Sequence, residues 1–357
     1  MLSKLFYAEQ KVQHRVKRQH RNKKRETDEF KLAASGDIDA KEMYKWWKIY
    51  TSYGDIKNTY SAYLNDKAYN GDVAVTGIGF DAGDNLSIGS VSYTNPNEAR
   101  SVIIRTNSSA SSLIVNADDT VRHYGNANVV NVTKVAMNSY HENGSVSTLN
   151  VKAGRIVVES SAFVGVVAVD KDATTGTVEI DNSGTVFNTE VITYNESTME
   201  HEKVDEPTDA QKAVVNTVTT KDADSEISIG TAETLINLAA SHSQGIVSKK
   251  LNFKLKSDIN LAGYSWTPFG IDKDSAFEGS IDGQGYKITG LAYNPNALVA
   301  KYITASGNYG SPFGLIAYAT KDVTVKNLTI EADIDIPNAD GQAVAAFIGA
   351  YNNTIPT

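Results

Sequence analysis

The chain has 357 residues, no cysteine and a formal net charge of −8, with 41% hydrophobic and 21% charged residues. Without cysteine there are no disulfides, no thiolate nucleophile and no cysteine-bound metal, and no apolar run reaches the roughly 20 residues that a membrane-spanning helix needs. Stability has to come from packing and ladder hydrogen bonds, and a composition rich in Thr, Ser, Asn, Gly and aliphatic β-formers points to a mainly β protein.

The charge is unevenly placed. Residues 1–25 hold nine Lys/Arg and one Glu, a net of +8, which leaves −16 for the rest. Residues 1–35 therefore read as a basic arm, helical or disordered, with Leu2, Leu5, Phe6, Val12 and Val16 as a loose helical stripe. Lys4, Glu9, Lys11 and Arg15 interrupt the start of the chain, so no secretory leader is expected. Residues 36–70 form the next segment, an aromatic-rich helical collar opened by Asp37 or Asp39 as cap and carrying Met43, Trp46, Trp47, Tyr50, Tyr53, Tyr60 and Tyr63. Aromatics at this density bury large areas and hold surfaces together. Arg15, Lys17, Arg18, Arg21, Lys23, Lys24, Arg25, Trp46, Trp47 and Tyr50 are the expected assembly anchor. Acidic protein, nucleic acid and phospholipid are all compatible with the arm, and a local core is the alternative for the collar.

Residues 71–195 change to short β-rich runs separated by Gly, Asn, Asp and Ser. The clearest are 101–105, 113–115, 129–132, 149–151, 155–159, 164–169 and 177–180. A β-sandwich or a parallel β-helix would suit this spacing; the small turns at Asn143-Gly144, Ala153-Gly154, Thr175-Gly176 and Ser183-Gly184 favour a β-solenoid. His123, His141, Glu142, Asp118 and Asp119 are the best cluster for acid/base or metal chemistry. The spacing lacks the second histidine of a helical zinc motif, so turn hydrogen bonds are the expected role of the histidines. Residues 196–226 are polar and acidic around Pro207 and read as a linker, with a short helix over 210–218 as an alternative.

Residues 227–357 open with a strand and a helix capped by Thr231, with Leu235 and Leu238 on one face. Phe277, Ile281, Tyr286, Ile288 and Leu291 then supply inward side chains around a tight reversal at Asp282-Gly283-Gln284-Gly285, which needs positive φ. In Val323 to Ile330 the alternation slips at Lys326-Asn327, placing a corner there with Asn327 bonding along the stack. These runs, with Phe253 to Leu261, Trp266 to Gly270 and Phe313 to Ile316, resemble the GLUG-type repeat module of bacterial and phage surface proteins. Asp118 to Gly125, Asn138 to Gly144 and Val151 to Ser160 likewise resemble repeat-rich surface proteins of gut bacteria and their phages. The resemblance implies right-handed parallel β-helix modules preceded by an α-helical N-terminal anchor. Tyr309 to Phe313 departs from it, because the family runs straight into its Gly-Leu-Phe-Gly step. The last coil lacks a cap, so a continuation of the chain or a covering partner is expected.

Enzymatic activity is not expected. Asp272, Asp274 and Glu278, like Asp333, Asp335 and Asp340, sit by turns without a positioned base or cation, and there is no phosphate loop, dinucleotide fingerprint or nucleophile elbow. No catalytic, cofactor-binding or metal-binding residue is assigned. The function expected is that of a structural virion protein: a phage fibre or fibre-adaptor, trimeric, docked on other virion proteins by arm and collar and meeting a host-surface glycan or protein distally. A bacterial cell-surface adhesin and a β-helix polysaccharide-degrading enzyme are the alternatives.

Overall fold

The computed structural model describes residues 48–50, 56–64, 73–81, 87–95, 101–117, 120–135, 139–195, 197–198, 200–294, 299–300, 303–304, 307–308, 310–336 and 343–351. Over these residues the protein is mainly β. Strands β1 (Lys48–Tyr50), β2 (Ile56–Leu64), β3 (Val73–Asp81), β4 (Ser87–Asn95), β5 (Ser101–Ala117) and β6 (Thr120–Val135) come first. They are followed by β7 (Ser139–Glu142), β8 (Ser145–Val151), β9 (Gly154–Val158), β10 (Phe163–Asp170), β11 (Val178–Asn182), β12 (Thr185–Asn195) and β13 (Glu200–Lys203).

From β1 to β12 the pairing in this sheet is parallel, so each strand meets a strand one excursion later in the chain. Val121 pairs with Tyr140, Tyr140 with Ile156 and Ile156 with Ile180, which makes one ladder of β6, β7, β9 and β11. Val130 pairs with Leu149, Leu149 with Val167 and Val167 with Thr189, which makes a second of β6, β8, β10 and β12. The long strands β5 and β6 supply both ladders. Inward side chains of the two, among them Val121, Tyr140, Ile156, Val130, Leu149 and Val167, fall in one apolar cluster and are fully buried. Each such aliphatic side chain stabilises by roughly 1.5–3 kcal/mol relative to exposure.

Where the chain passes from one ladder to the other, backbones approach closely. Gly125 has φ +97, and a Cβ on Gly144, stacked over it, would lie 1.9 Å from the Gly125 carbonyl oxygen. Only glycine fits there.

Residues 48–50 and 56–64 correct the expectation of a helical collar, because they are strands β1 and β2. β1 pairs in parallel with β2, and β2 with β3, so the ladder runs across residue 70. Ile56, Thr59, Tyr60 and Tyr63 are β-branched or aromatic, and a parallel neighbour lets those preferences prevail over the helical reading.

The parallel succession stops at β12, whose last residues pair antiparallel with β13. Helix α1 (Asp209–Val215) follows, opened by a capping box in which the Thr208 side chain accepts from Gln211 N and the Gln211 side chain accepts from Thr208 N. Val214, Val215 and Val218 enter the same core as the ladder strands. The acidic stretch 196–226 thus packs an apolar helix face over the ladder, blunting its edge.

The second unit contains β14 (Ile227–Ile229), α2 (Ala232–Ser243), β15 (Asn252–Leu255), β16 (Ile259–Asn260), β17 (Ser280–Asp282), β18 (Lys287–Leu291), the short antiparallel pair β19 (Ile303–Thr304) and β20 (Gly307–Asn308), β21 (Ile316–Ala319), β22 (Thr324–Lys326), β23 (Thr329–Ala332) and β24 (Ile348–Tyr351). Parallel ladders run β14-β15-β17-β22, β16-β18-β23 and β21-β24. The turn between β17 and β18 is a corner between two ladders and not a hairpin, since its two strands pair with different neighbours. Gln284 and Gly285 take φ +53 and +85 there, and Asn327, at φ +52 on the stacked corner, donates from Nδ2 to Asp282 Oδ1 at 3.2 Å. Phe277, Ile281, Ile288 and Leu291 are fully buried; Tyr286, expected inside, is 38% exposed because the corner turns it outward. Phe253, Trp266, Phe269, Phe277 and His242 form the aromatic centre of this core, with Phe253 stacked on Phe269 at 5.4 Å.

Candidate functional site

Strand β7 reads Ser139-Tyr140-His141-Glu142, and the period of two sends Tyr140 and Glu142 inward and Ser139 and His141 outward. Each pair meets chemistry from the neighbouring strands. The result is two histidine–carboxylate clusters on opposite faces of one sheet.

The inner cluster is sealed. His123 on β6 is the register partner of Glu142, and both are fully buried. His123 Nδ1 lies 2.9 Å from each carboxylate oxygen, while Glu142 also accepts from Tyr140 Oη at 2.6 Å and from Gly144 N at 2.7 Å. A carboxylate removed from water costs several kcal/mol unless its lone pairs are occupied, and three donors occupy them here. Burial, followed by the negative Glu142 beside it, pushes the Tyr140 phenol well above its ordinary value.

The outer cluster is open to solvent on one side. Ser139 Oγ lies 2.6 Å from His141 Nε2, and His141 Nδ1 lies 2.7 Å from Glu159 Oε1 just past the end of β9. The side chains of His141 and Glu159 are 15% and 34% exposed, and Arg122 Nη1 is 3.9 Å from the same Glu159 oxygen. The hydrogen bond from His141 holds the Glu159 carboxyl below its usual range, against the opposing effect of partial burial. Arg155 stands in register with Ser139 on β9 and pairs with Asp181 and Glu179.

Helix α2 braces the corner beside these clusters. Asn237 Nδ2 donates to both Asn143 O and Ser161 O at 2.8 Å, Ser241 Oγ lies 2.7 Å from Ser145 Oγ, and Gln244 Nε2 donates to Ala127 O at 3.1 Å. One helix of the second unit thereby clasps successive turns of the first.

His123 and Glu142, which the sequence had grouped, are brought together, and His141 points the other way. Asp118 and Asp119 lie outside the described residues, as do Arg15, Lys17, Arg18, Arg21, Lys23, Lys24, Arg25, Trp46 and Trp47. Tyr50 lies in β1. Ser139, Glu159 and Arg122 were missed by the sequence reading: only the signature of alternating outward positions on three strands marks them, and it is visible once the register is known. Asp272 forms a turn with Ser275, and among the described residues no three His, Asp or Glu side chains gather as a metal-holding set. Among the same residues, no helix is long and apolar enough to cross a membrane.

No family model matches the chain, and no solved structure matches it. Part of the chain is similar to a Gly-rich membrane protein, by name, of Evansella cellulosilytica, at 33% identity over 104 residues. The match covers 28% of this chain and 10% of that protein.

Proposed function

We infer that this chain is a structural attachment protein built as a rod of right-handed parallel β-helix, GLUG-like in residues 227–357, with residues 1–47 as its docking segment. The observation that supports this most directly is the parallel succession from β1 to β12, whose inward apolar side chains from β5 to β12 join one buried cluster. Stacked turns give reach and stiffness. The charge division adds to it: a +8 arm seeks an acidic or phosphate-bearing anchor, and an acidic body stays clear of it.

The role proposed first is a phage fibre or fibre-adaptor, trimeric, held on the particle by its N-terminal part and meeting a host-surface glycan or protein at its far end, where repetition of weak contacts gives avidity. The partial similarity to a bacterial membrane protein favours a second reading, a bacterial cell-surface adhesin. Electron microscopy of the purified chain should show particles several times longer than wide; compact particles would remove both. Gold-labelled antibody against residues 227–357 then separates the two, decorating virions in the first case and cell envelopes in the second. Removing residues 1–47, which leaves β1 and its partners intact, should abolish incorporation into either assembly while leaving the circular dichroism spectrum β-rich.

A further inference from the structure

The outward face of β6, β7 and β9 carries a hydroxyl, an imidazole and a carboxylate connected in sequence. Ser139 and His141 stand two residues apart on β7 and so share one face. Their partner Glu159 directly follows β9, the next strand of the ladder, two residues beyond Val157, with which His141 is in register. The distances are 2.6 Å from Ser139 Oγ to His141 Nε2 and 2.7 Å from His141 Nδ1 to Glu159 Oε1. A carboxylate can only accept, so in the neutral ring the proton lies on Nδ1 and Nε2 presents its lone pair to the serine hydroxyl. That is the tautomer a general base needs.

We propose that Ser139, His141 and Glu159 constitute a serine-nucleophile site that hydrolyses small acyl esters, an activity separate from the attachment role and not dependent on it. Ser139 Oγ bonds to the ester carbonyl carbon while its proton passes to His141 Nε2. The carbon–oxygen bond to the alcohol then breaks, the departing alkoxide takes the proton from Nε2, and the acyl group remains on Ser139. Water attacks that acyl-serine, gives one proton to Nε2, and releases the carboxylic acid as the proton returns to Oγ. Glu159 is a positioning residue, fixing the ring and stabilising it when charged. Arg155, in register with Ser139 and exposed, sets a cation on the face where negative charge develops on the carbonyl oxygen.

The location limits the substrate. The relay lies on the outer surface of a sheet, so the acyl group has to protrude from whatever carries it, as an acetyl ester on an exposed hydroxyl does. The inner cluster also joins a hydroxyl, an imidazole and a carboxylate, yet Tyr140, His123 and Glu142 are fully buried and no substrate reaches them. Access distinguishes the two.

The full chain is treated with a fluorophosphonate probe, digested and read by mass spectrometry, and p-nitrophenyl acetate hydrolysis is followed in parallel. The expected result is an adduct on Ser139, absent in Ser139→Ala, with kcat falling about 10²–10⁴-fold in His141→Gln and falling in Glu159→Gln with KM unchanged. No adduct at Ser139 in the unaltered chain, or hydrolysis that persists in Ser139→Ala, would overturn the proposal and leave the three side chains as a brace between strands. The adduct readout needs no variant, and the melting curve of Ser139→Ala checks that its fold is kept.

Discussion

His123 and Glu142 face each other across adjacent parallel strands, both without exposure to solvent, with the imidazole Nδ1 2.9 Å from either oxygen of the carboxylate. In an interior lined mainly by Val, Ile and Leu, this pair survives because Tyr140 and Gly144 supply the remaining donors. Glu142→Ala strands three donors in an apolar core and should destabilise the first unit by about 3–5 kcal/mol. His123→Leu with Glu142→Leu and Tyr140→Phe removes every side-chain member of the network, leaving only Gly144 N without its acceptor, and should cost much less. Urea denaturation of the two variants measures the difference, and equal losses would show that the network is not the source of the effect.

Close stacking gives a second expectation. A Cβ on Gly144 would stand 1.9 Å from Gly125 O, and one on Gly279 would stand 1.7 Å from Leu251 O. Both obstacles are backbone and cannot rotate away. Gly144→Ala and Gly279→Ala should each destabilise by at least the 1–3 kcal/mol or so typical of overpacking, whereas Gly230→Ala, whose Cβ meets nothing within 4 Å, should change the melting temperature little.

The clasp by α2 rests on Asn237. Replacing it with Ala removes the amide donor from two carbonyl oxygens, of Asn143 and Ser161, on consecutive turns, and leaves Asn143 O only a long bond from Ser161 Oγ. The expected loss is about 1–3 kcal/mol, seen in hydrogen exchange as faster opening of α2 before the strands of either unit. Unchanged exchange across residues 232–243 would show that Ser241 and Gln244 suffice.

Acid should weaken the second unit in a defined window. His242 is buried against Phe269 and Phe277, accepts a bond from Gly270 N at Nδ1, and has no hydrogen-bond partner at Nε2. Burial, with Lys249 adding to it, lowers its pKa from 6.5 to about 4. The unfolded chain therefore takes up the proton first, and stability falls as pH drops from about 6.5 to about 4, then levels. The span amounts to about 3 kcal/mol. In His242→Leu this part of the acid dependence should vanish, so the stability gap between the two proteins should change across pH 7 to 4; parallel curves would refute the assignment.

Much of the local structure was readable residue by residue. The aliphatic runs 155–159, 164–169 and 177–180 became β9, β10 and β11 within a residue or two, Thr231 caps α2 by accepting from Thr234 N at 3.1 Å, and Gln284 and Gly285 take the positive φ their turn demanded. These features rest on chemistry confined to a few neighbouring residues. Tyr60 and Tyr63 misled for the opposite reason, since aromatics serve a helix collar or a strand and a neighbouring strand decides.

The outer relay shows the same boundary. Ser139 and His141 are adjacent on any strand, but Glu159 reaches them only because β9 stacks on β7 in one register. Strand propensity, turn chemistry and the separation of +8 from −16 are properties of short segments and of composition, and the chain carries them folded or not. Which segment stacks on which, and so which histidine is sealed inside and which stands at the surface, belongs to the fold alone. Parallel pairing in the ladder of β6, β7, β9 and β11 joins residues 16 to 24 positions apart, as at Tyr140 with Ile156 and Ile156 with Ile180, and a shift of one residue would turn every side chain to the opposite face.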